Sequence, residues 1–222
     1  MIRAADDFPS FFTPKEEYPF IIDCGANIGV SVLEWKHRWP SSSIVCFEPD
    51  PHAFELLEKN IEKNDLPGVK CYCLALSDHE GHSTLYGQLH RGGDSRGNSL
   101  CPEWGRRQDT GETSVQCVPL GPYLNDRHVS FLKLDIEGME ETVLRDVFPK
   151  LHQVDAIYAE VHVNEQLQHT NACARIEKLL LDAEFLIETE DRFHPHALPE
   201  SARAWQTATN AQQSQILAWK AQ

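Results

Sequence analysis

The feature that most constrains this chain is a regular alternation of short apolar runs with amphipathic stretches, from residue 19 to about 190. "PFIIDCG" is an apolar run closed by glycine, which suits a strand buried on both faces. Ile28, Val32, Trp35 and Trp39 then recur at four, three and four residues, one face of a helix that Pro40 ends. Further strands are read at "SIVCFEP" (43–49), "VKCYCLALS" (69–77), "GHSTLYGQL" (81–89), "TSVQCVPL" (113–120) and "VSFLKLDI" (129–136). Three more follow at "DAIYAEVHV" (155–163), "EFLIETE" (184–190) and "SQILAWKA" (214–221). Helical faces fall between them on Phe54, Leu57 and Ile61, on Met139, Val143, Val147 and Leu151, and on Cys173, Ile176 and Leu180. Such a pattern predicts an α/β fold: a mostly parallel sheet, helices on both faces, right-handed crossovers.

Two stretches break the pattern, 87–114 and 193–213, and are read as loop insertions in a single domain spanning 1–222, with 1–18 as a short N-terminal extension. Residues 90–113 are rich in Gly, Arg, Asn, Ser and Asp without periodicity, which predicts a mobile lid. The net charge of −14, from 20 basic and 34 acidic side chains, opposes a nucleic-acid partner, because phosphates need Lys and Arg. Apolar stretches are interrupted by Asp or Gly, so no membrane span is expected, and the N-terminus lacks the basic start and apolar centre of a signal peptide. A cytoplasmic location follows as an expectation. The seven cysteines include no C-x-x-C pair, which argues against a disulfide framework and against zinc.

The first strand-to-helix turn, "DCGANIG", falls where ligands collect in such sheets, beyond the carboxyl ends of the strands. Gly25 is expected to let the backbone turn sharply toward a ligand, and Gly29 to let the helix begin close to the sheet, with its first free N–H groups facing that ligand. Simple turn chemistry explains the glycines equally well. The second strand ends in Glu48, nineteen residues after Gly29, where a carboxylate would accept from two vicinal ribose hydroxyls. A dinucleotide loop would read G-x-G-x-x-G; here the spacing is D-x-G-x-x-x-G. The acid at Asp23 repels a diphosphate and suits a cation, and S-adenosylmethionine carries both a sulfonium and an ammonium.

With "IIDCGANIG", "CFEPDP", "LALSD" and "FLKLDIEGMEETVL" in place, the chain resembles the FkbM family of S-adenosylmethionine-dependent methyltransferases from about Pro19 to Lys220. The resemblance implies a Rossmann-like class I sheet of seven strands, the last antiparallel, and O-methylation of a hydroxyl on a small metabolite, polyketide or sugar. It also implies that Asp23, Gly25, Asn27 and Gly29 wall the methionyl part of S-adenosyl-L-methionine, that Glu48 holds the ribose, and that Leu76, Ser77 and Asp78 border the adenine. Where relatives carry an "LDD" run before the fourth strand, this chain has "PLGPYLND" (119–126), and Asp126 is not expected to replace it. With eighteen residues ahead of the first strand, an N-terminal substrate cap is expected to be minimal. Walls for the small-molecule acceptor would then come from 87–114, from 193–213, or from a second subunit of a homodimer.

Methyl transfer to an alcohol needs in-line alignment and removal of a proton. The base should project from the ends of the fourth and fifth strands, where "KLDIEG" offers Asp135 and Glu137 and "AEVH" offers Glu160 and His162. His162 is the first choice because its ordinary pKa lies near working pH, although a satisfied histidine at a strand end reads equally well. Asp135 has a second role open to it, binding the cofactor's ammonium. Several carboxylates with a histidine could also hold a divalent cation. Two other functions stay open: a nicotinamide-dependent oxidoreductase on a similar sheet, and a methyltransferase-like binding protein without turnover.

Overall fold

The computed structural model describes residues 8, 10–90, 92–93, 95–124, 127–191 and 209–221. In chain order the principal elements are β1 (Phe20–Cys24), α1 (Val30–Arg38), β2 (Ser43–Phe47), α2 (Pro51–Lys63), β3 (Val69–Tyr72), β4 (Ala75–Leu76), β5 (Gly81–Gly87) and β6 (Gly111–Val118). They continue with α3 (Gly121–Leu124), β7 (Val129–Leu134), α4 (Glu140–Val147), β8 (Val154–Val163), α5 (Cys173–Asp182), β9 (Leu186–Asp191) and β10 (Gln212–Trp219).

Seven strands form one sheet in the order β3-β2-β1-β7-β8-β10-β9. Pairing is parallel from β3 through β8, and β10, the last strand of the chain, runs antiparallel to both β8 and β9. The strand order reverses between β1 and β7, which opens a crevice at their carboxyl ends.

The apolar strands are apolar throughout because both faces are covered. Along β1, Ile21 packs with Val32, Trp35 and Leu57 on the side of α1 and α2, while Ile22 and Cys24 pack with Leu144, Val147 and Leu180 on the side of α4 and α5. The same alternation runs along β7, where Phe131 joins the first cluster and Leu132 and Leu134 the second. Helix α2 starts cleanly because Asp50 caps it, accepting from the backbone N–H of His52, with Pro51 as its first helical residue.

The expected third strand over 69–77 divides in two. Val69–Tyr72 pairs with β2, but Ala75–Leu76 pairs with β6 in a separate three-stranded sheet of order β4-β6-β5. Only residues 73 and 74 separate the two strands, so hydrophobic pattern alone does not register the change of hydrogen-bonding partner. Ala75, Leu85, Val115 and Cys117 give the small sheet its own core.

The stretch expected to be a mobile lid contains local structure among its described residues. Tyr86 and Ser99 exchange backbone hydrogen bonds, the stretch Trp104–Asp109 is 3-10-like but kinked at left-handed Gly105 and Arg106, and β6 begins at Gly111. Trp104 is buried against Leu167 and Ala211. Asp126 and most of the second insertion, 192–208, lie outside the described residues. Among the described residues no helix is long and apolar enough to cross a membrane.

Candidate functional site

At the reversal point a cavity is lined by the β1–α1 turn, the end of β2, the small sheet, the 95–100 segment and the ends of β7 and β8. Gly25, Asn27, Glu48, Leu76, Asp135, Glu137 and Glu160 all face it.

The β1–α1 turn is built from left-handed residues, with φ of 83° at Gly25, 48° at Asn27 and 92° at Gly29. A Cβ on Gly25 would stand 1.8 Å from the carbonyl oxygen of Asp135. The glycine there is thus required by the neighbouring strand end as well as by the turn, and it lines the cavity as the sequence suggested. A Cβ on Gly29 would stand 2.7 Å from Leu57 Cδ1, so this glycine brings α1 against α2 rather than against the sheet.

Glu48 follows the end of β2 and is buried. Its Oε2 accepts from the backbone N–H of Asn27 at 2.8 Å and its Oε1 from that of Asp50 at 2.9 Å. Burial pushes its pKa up to about 7, against the lowering effect of those two hydrogen bonds. Each carboxylate oxygen has two acceptor sites, so one per oxygen stays available toward the cavity. Asn27 closes the turn by accepting from the Ile28 N–H at 2.8 Å and donating to Ser95 Oγ at 3.0 Å.

Asp23 does not face the cavity. Its side chain lies on the α1 side of the sheet, fully buried, where Oδ2 accepts from Trp35 Nε1 at 2.9 Å and Oδ1 sits 3.5 Å from Lys133 Nζ. Strand alternation explains this: Asp23 shares the face of Ile21, and that face belongs to α1. Ser77 and Asp78 also fall outside the cavity lining. The Ser77 hydroxyl is buried against Asp78 and His79, and Asp78 is exposed beside His79. Of that trio Leu76 alone lines the cavity.

Lys133 is a buried cation between β1 and β7, with Nζ donating to the Gly25 carbonyl at 2.9 Å and lying 3.2 Å from Asp135 Oδ2. Burial opposes its charge, but Asp135, Asp23 and Glu160 outweigh that and hold its pKa above the ordinary value. The residue was legible as a lone lysine inside "VSFLKLD", although nothing local assigned it a partner.

His162 is not placed as a free base. It is 3% exposed, it does not line the cavity, and Trp104 packs edge-on against its ring. Its Nδ1 lies 3.1 Å from Glu140 Oε1, and its Nε2 lies 3.5 Å from Glu137 Oε2, 3.8 Å from Glu160 Oε1 and 4.0 Å from Asp135 Oδ1. Burial alone would lower its pKa, but Glu137, Glu140 and Asp135 raise it well above the usual histidine value. An imidazolium has no lone pair with which to accept a hydroxyl proton.

Of the carboxylates around it, Asp135, Glu137 and Glu160 face the cavity, whereas Glu140 is fully buried. Glu137 sits in a left-handed turn at φ 53°, with Oε2 accepting from Trp104 Nε1, and burial raises its pKa to about 7. Glu160 accepts from the Tyr158 hydroxyl at 2.9 Å through Oε2, and burial followed by the nearby Asp135 raises its pKa too. Glu140, at the start of α4, accepts from the N–H groups of Ile136 and Gly138 and from Asn171 Nδ2. Sequence reading passed over Glu140 and Trp104, because their partners lie at distances along the chain that no local motif spans.

A family model described as the methyltransferase FkbM domain matches residues 23–187. Methyltransferase 1 of Beauveria bassiana (strain ARSEF 2860) is 30% identical over 148 residues, covering 60% of this chain and 59% of that protein. Methyltransferase sdnD of Sordaria araneosa is 31% identical over 156 residues, covering 58% of this chain and 60% of that protein. The chain's match thus spans about three-fifths of the length of either relative. The crystal structure of methyltransferase FkbM from Methylobacillus flagellatus KT superposes with a TM-score of 0.56 at 13% identity, over 90% of this chain and 44% of that one, a likeness of fold alone.

Proposed function

Because the chain belongs to the methyltransferase FkbM domain family, we propose that it binds S-adenosylmethionine in this cavity and transfers the methyl group to a hydroxyl of a small molecule. The observation that carries the reading is Glu48. It is a buried carboxylate at the end of β2 that faces the cavity with acceptor sites to spare, beside a glycine turn at the strand-order reversal. The residues fit the group: Glu48 matches vicinal hydroxyls, while Asp135 and Glu160 supply negative charge for a cationic ligand. When bound, the cofactor would supply an electrophilic methyl on sulfur.

The chain's own part is positioning and proton removal. Glu48 holds the hydroxyl-bearing end of the cofactor while Asn27 and Ser95 close over it. Glu160 is the group assigned to accept the acceptor's proton, since it lines the cavity with its Oε2 held by Tyr158. Its raised pKa makes it a stronger base than an ordinary surface carboxylate.

Calorimetry with S-adenosylmethionine and its demethylated product tests the assignment. Binding in the micromolar range is expected, on the order of −8 kcal/mol. Glu48→Ala should weaken it by roughly 1.5–3 kcal/mol, the scale of hydrogen bonds to a charged group. Heat with NAD and none with either sulfur compound would overturn the reading in favour of an oxidoreductase.

A further inference from the structure

We propose that Asp135, Glu137 and His162 form a binding site for a divalent cation of the Mn²⁺ type, at the carboxyl ends of β7 and β8. One ligand atom from each of these residues lies within 4.8 Å of the other two. Nε2 of His162 stands 3.5 Å from Glu137 Oε2 and 4.0 Å from Asp135 Oδ1. Bonds of ~2.1 Å to a common ion would place neighbouring ligands ~3.0 Å apart and opposite ones ~4.2 Å apart, so these separations bracket one ion.

The histidine supplies a second and independent observation. It is buried, and its Nε2 is aimed at the cavity carboxylates without a hydrogen bond among the described residues, so an ion bound there would displace the proton that those acids otherwise hold on the ring. Its other nitrogen is held by Glu140, and Glu140 is fixed in turn by Asn171 Nδ2 at 2.6 Å and the Gly138 N–H at 3.1 Å. A carboxylate that orients the far side of an imidazole is how proteins set the tautomer and direction of a metal-ligating histidine. Trp104 Nε1 orients Glu137 in the same manner. The other His–carboxylate trio among the described residues, Glu16, His128 and Asp155, lacks this arrangement: it is largely solvent-facing and already closed by contacts of 2.7 and 3.1 Å.

Two carboxylates and one imidazole leave coordination positions open. The role given to the ion rests on the methyl-transfer reading: it would hold the acceptor's oxygen and lower the pKa of its hydroxyl, so that Glu160 completes proton removal. The binding itself does not depend on that reading.

The test is a Mn²⁺ titration of the full chain followed by electron paramagnetic resonance, which reads free against bound ion. One ion per chain is expected. Asp135→Asn and Glu137→Gln should each weaken binding about tenfold or more, the scale for losing a metal ligand or its support. Asp155→Asn should leave it unchanged. Thermal melts of the variants guard against misfolding, and if Asp135→Asn melts early, the partly exposed Glu137→Gln carries the result. Absence of binding, retention of binding in Glu137→Gln, or its loss in Asp155→Asn would each overturn the site. Calorimetry with S-adenosylhomocysteine in EDTA separates the two claims: cofactor binding without Mn²⁺ binding removes the ion alone, and the reverse leaves the ion and removes the methyltransferase.

Discussion

Glu48, Glu137 and His162 are three titratable side chains whose protonated forms the fold prefers. Burial leads the rise of both glutamates to about 7, and the surrounding acids hold the imidazole protonated. A group whose folded pKa lies above its unfolded value gives stability that is complete below the unfolded pKa and is lost as pH rises through the folded one. The three groups therefore act in the same direction. Melting temperature should fall between pH 5 and pH 8.5 by roughly 5 °C, the scale of ~1–2 kcal/mol in a domain of this size. Scanning calorimetry across that range checks it, and a melting temperature that rises steadily with pH would show that these groups are not held as described.

At the scale of elements, the 95–99 segment owes its position to a few polar ties, whereas apolar anchoring begins at Leu100 and Trp104. Asn98 Nδ2 donates to Asp50 Oδ2 at 3.0 Å, and Asn98 Oδ1 accepts from the Gln88 N–H at 3.1 Å, joining the segment to the cap of α2. Ser95 reaches Asn27, and Ser99 pairs with Tyr86. Removing the side chain in Asn98→Ala should speed amide exchange at Ser99 and Tyr86 by roughly fivefold to tenfold, equivalent to ~1 kcal/mol for lost hydrogen bonding. Unchanged exchange at both amides would mean that the segment is held by other contacts. Periodicity could not reveal these ties, because single Asn and Ser side chains leave no repeating mark on a sequence.

For the whole molecule, the cavity is shared among β1, β2, β4, β7, β8 and the 95–100 segment, so a ligand that fills it links parts of the chain that are otherwise separate. S-adenosylhomocysteine at about 100 times its dissociation constant should stabilise the fold by ~2.7 kcal/mol, a linkage that requires binding to the folded state alone. A melting temperature that fails to rise with ligand concentration would contradict cofactor binding by the assembled site. The same assembly explains the buried charge. Lys133 is tolerated because it touches Asp23, Asp135 and the Gly25 carbonyl at once, and removal of either acid would weaken that compensation.

Sequence by itself determined the elements and their order. Apolar runs such as "FIID" and "VSFLKL" had to be strands covered on both sides, and helical faces such as Val32 and Trp35 had to cover them. It also determined that Gly25, Asn27, Glu48, Asp135 and Glu137 would gather at strand ends, because strand-to-helix turns in a parallel sheet all open on one edge. Only the tertiary structure decided which way each side chain points and what it meets there. Asp23 faces Trp35 and Lys133 instead of a ligand, Gly25 makes room for the Asp135 carbonyl, and Ala75–Leu76 leaves the main sheet for a smaller one. His162 is enclosed by acids from β7, β8 and the turn into α4. Each of these outcomes depends on contacts between residues far apart in the chain, and the charge state of a buried group follows from the sum of such contacts rather than from its neighbours in sequence.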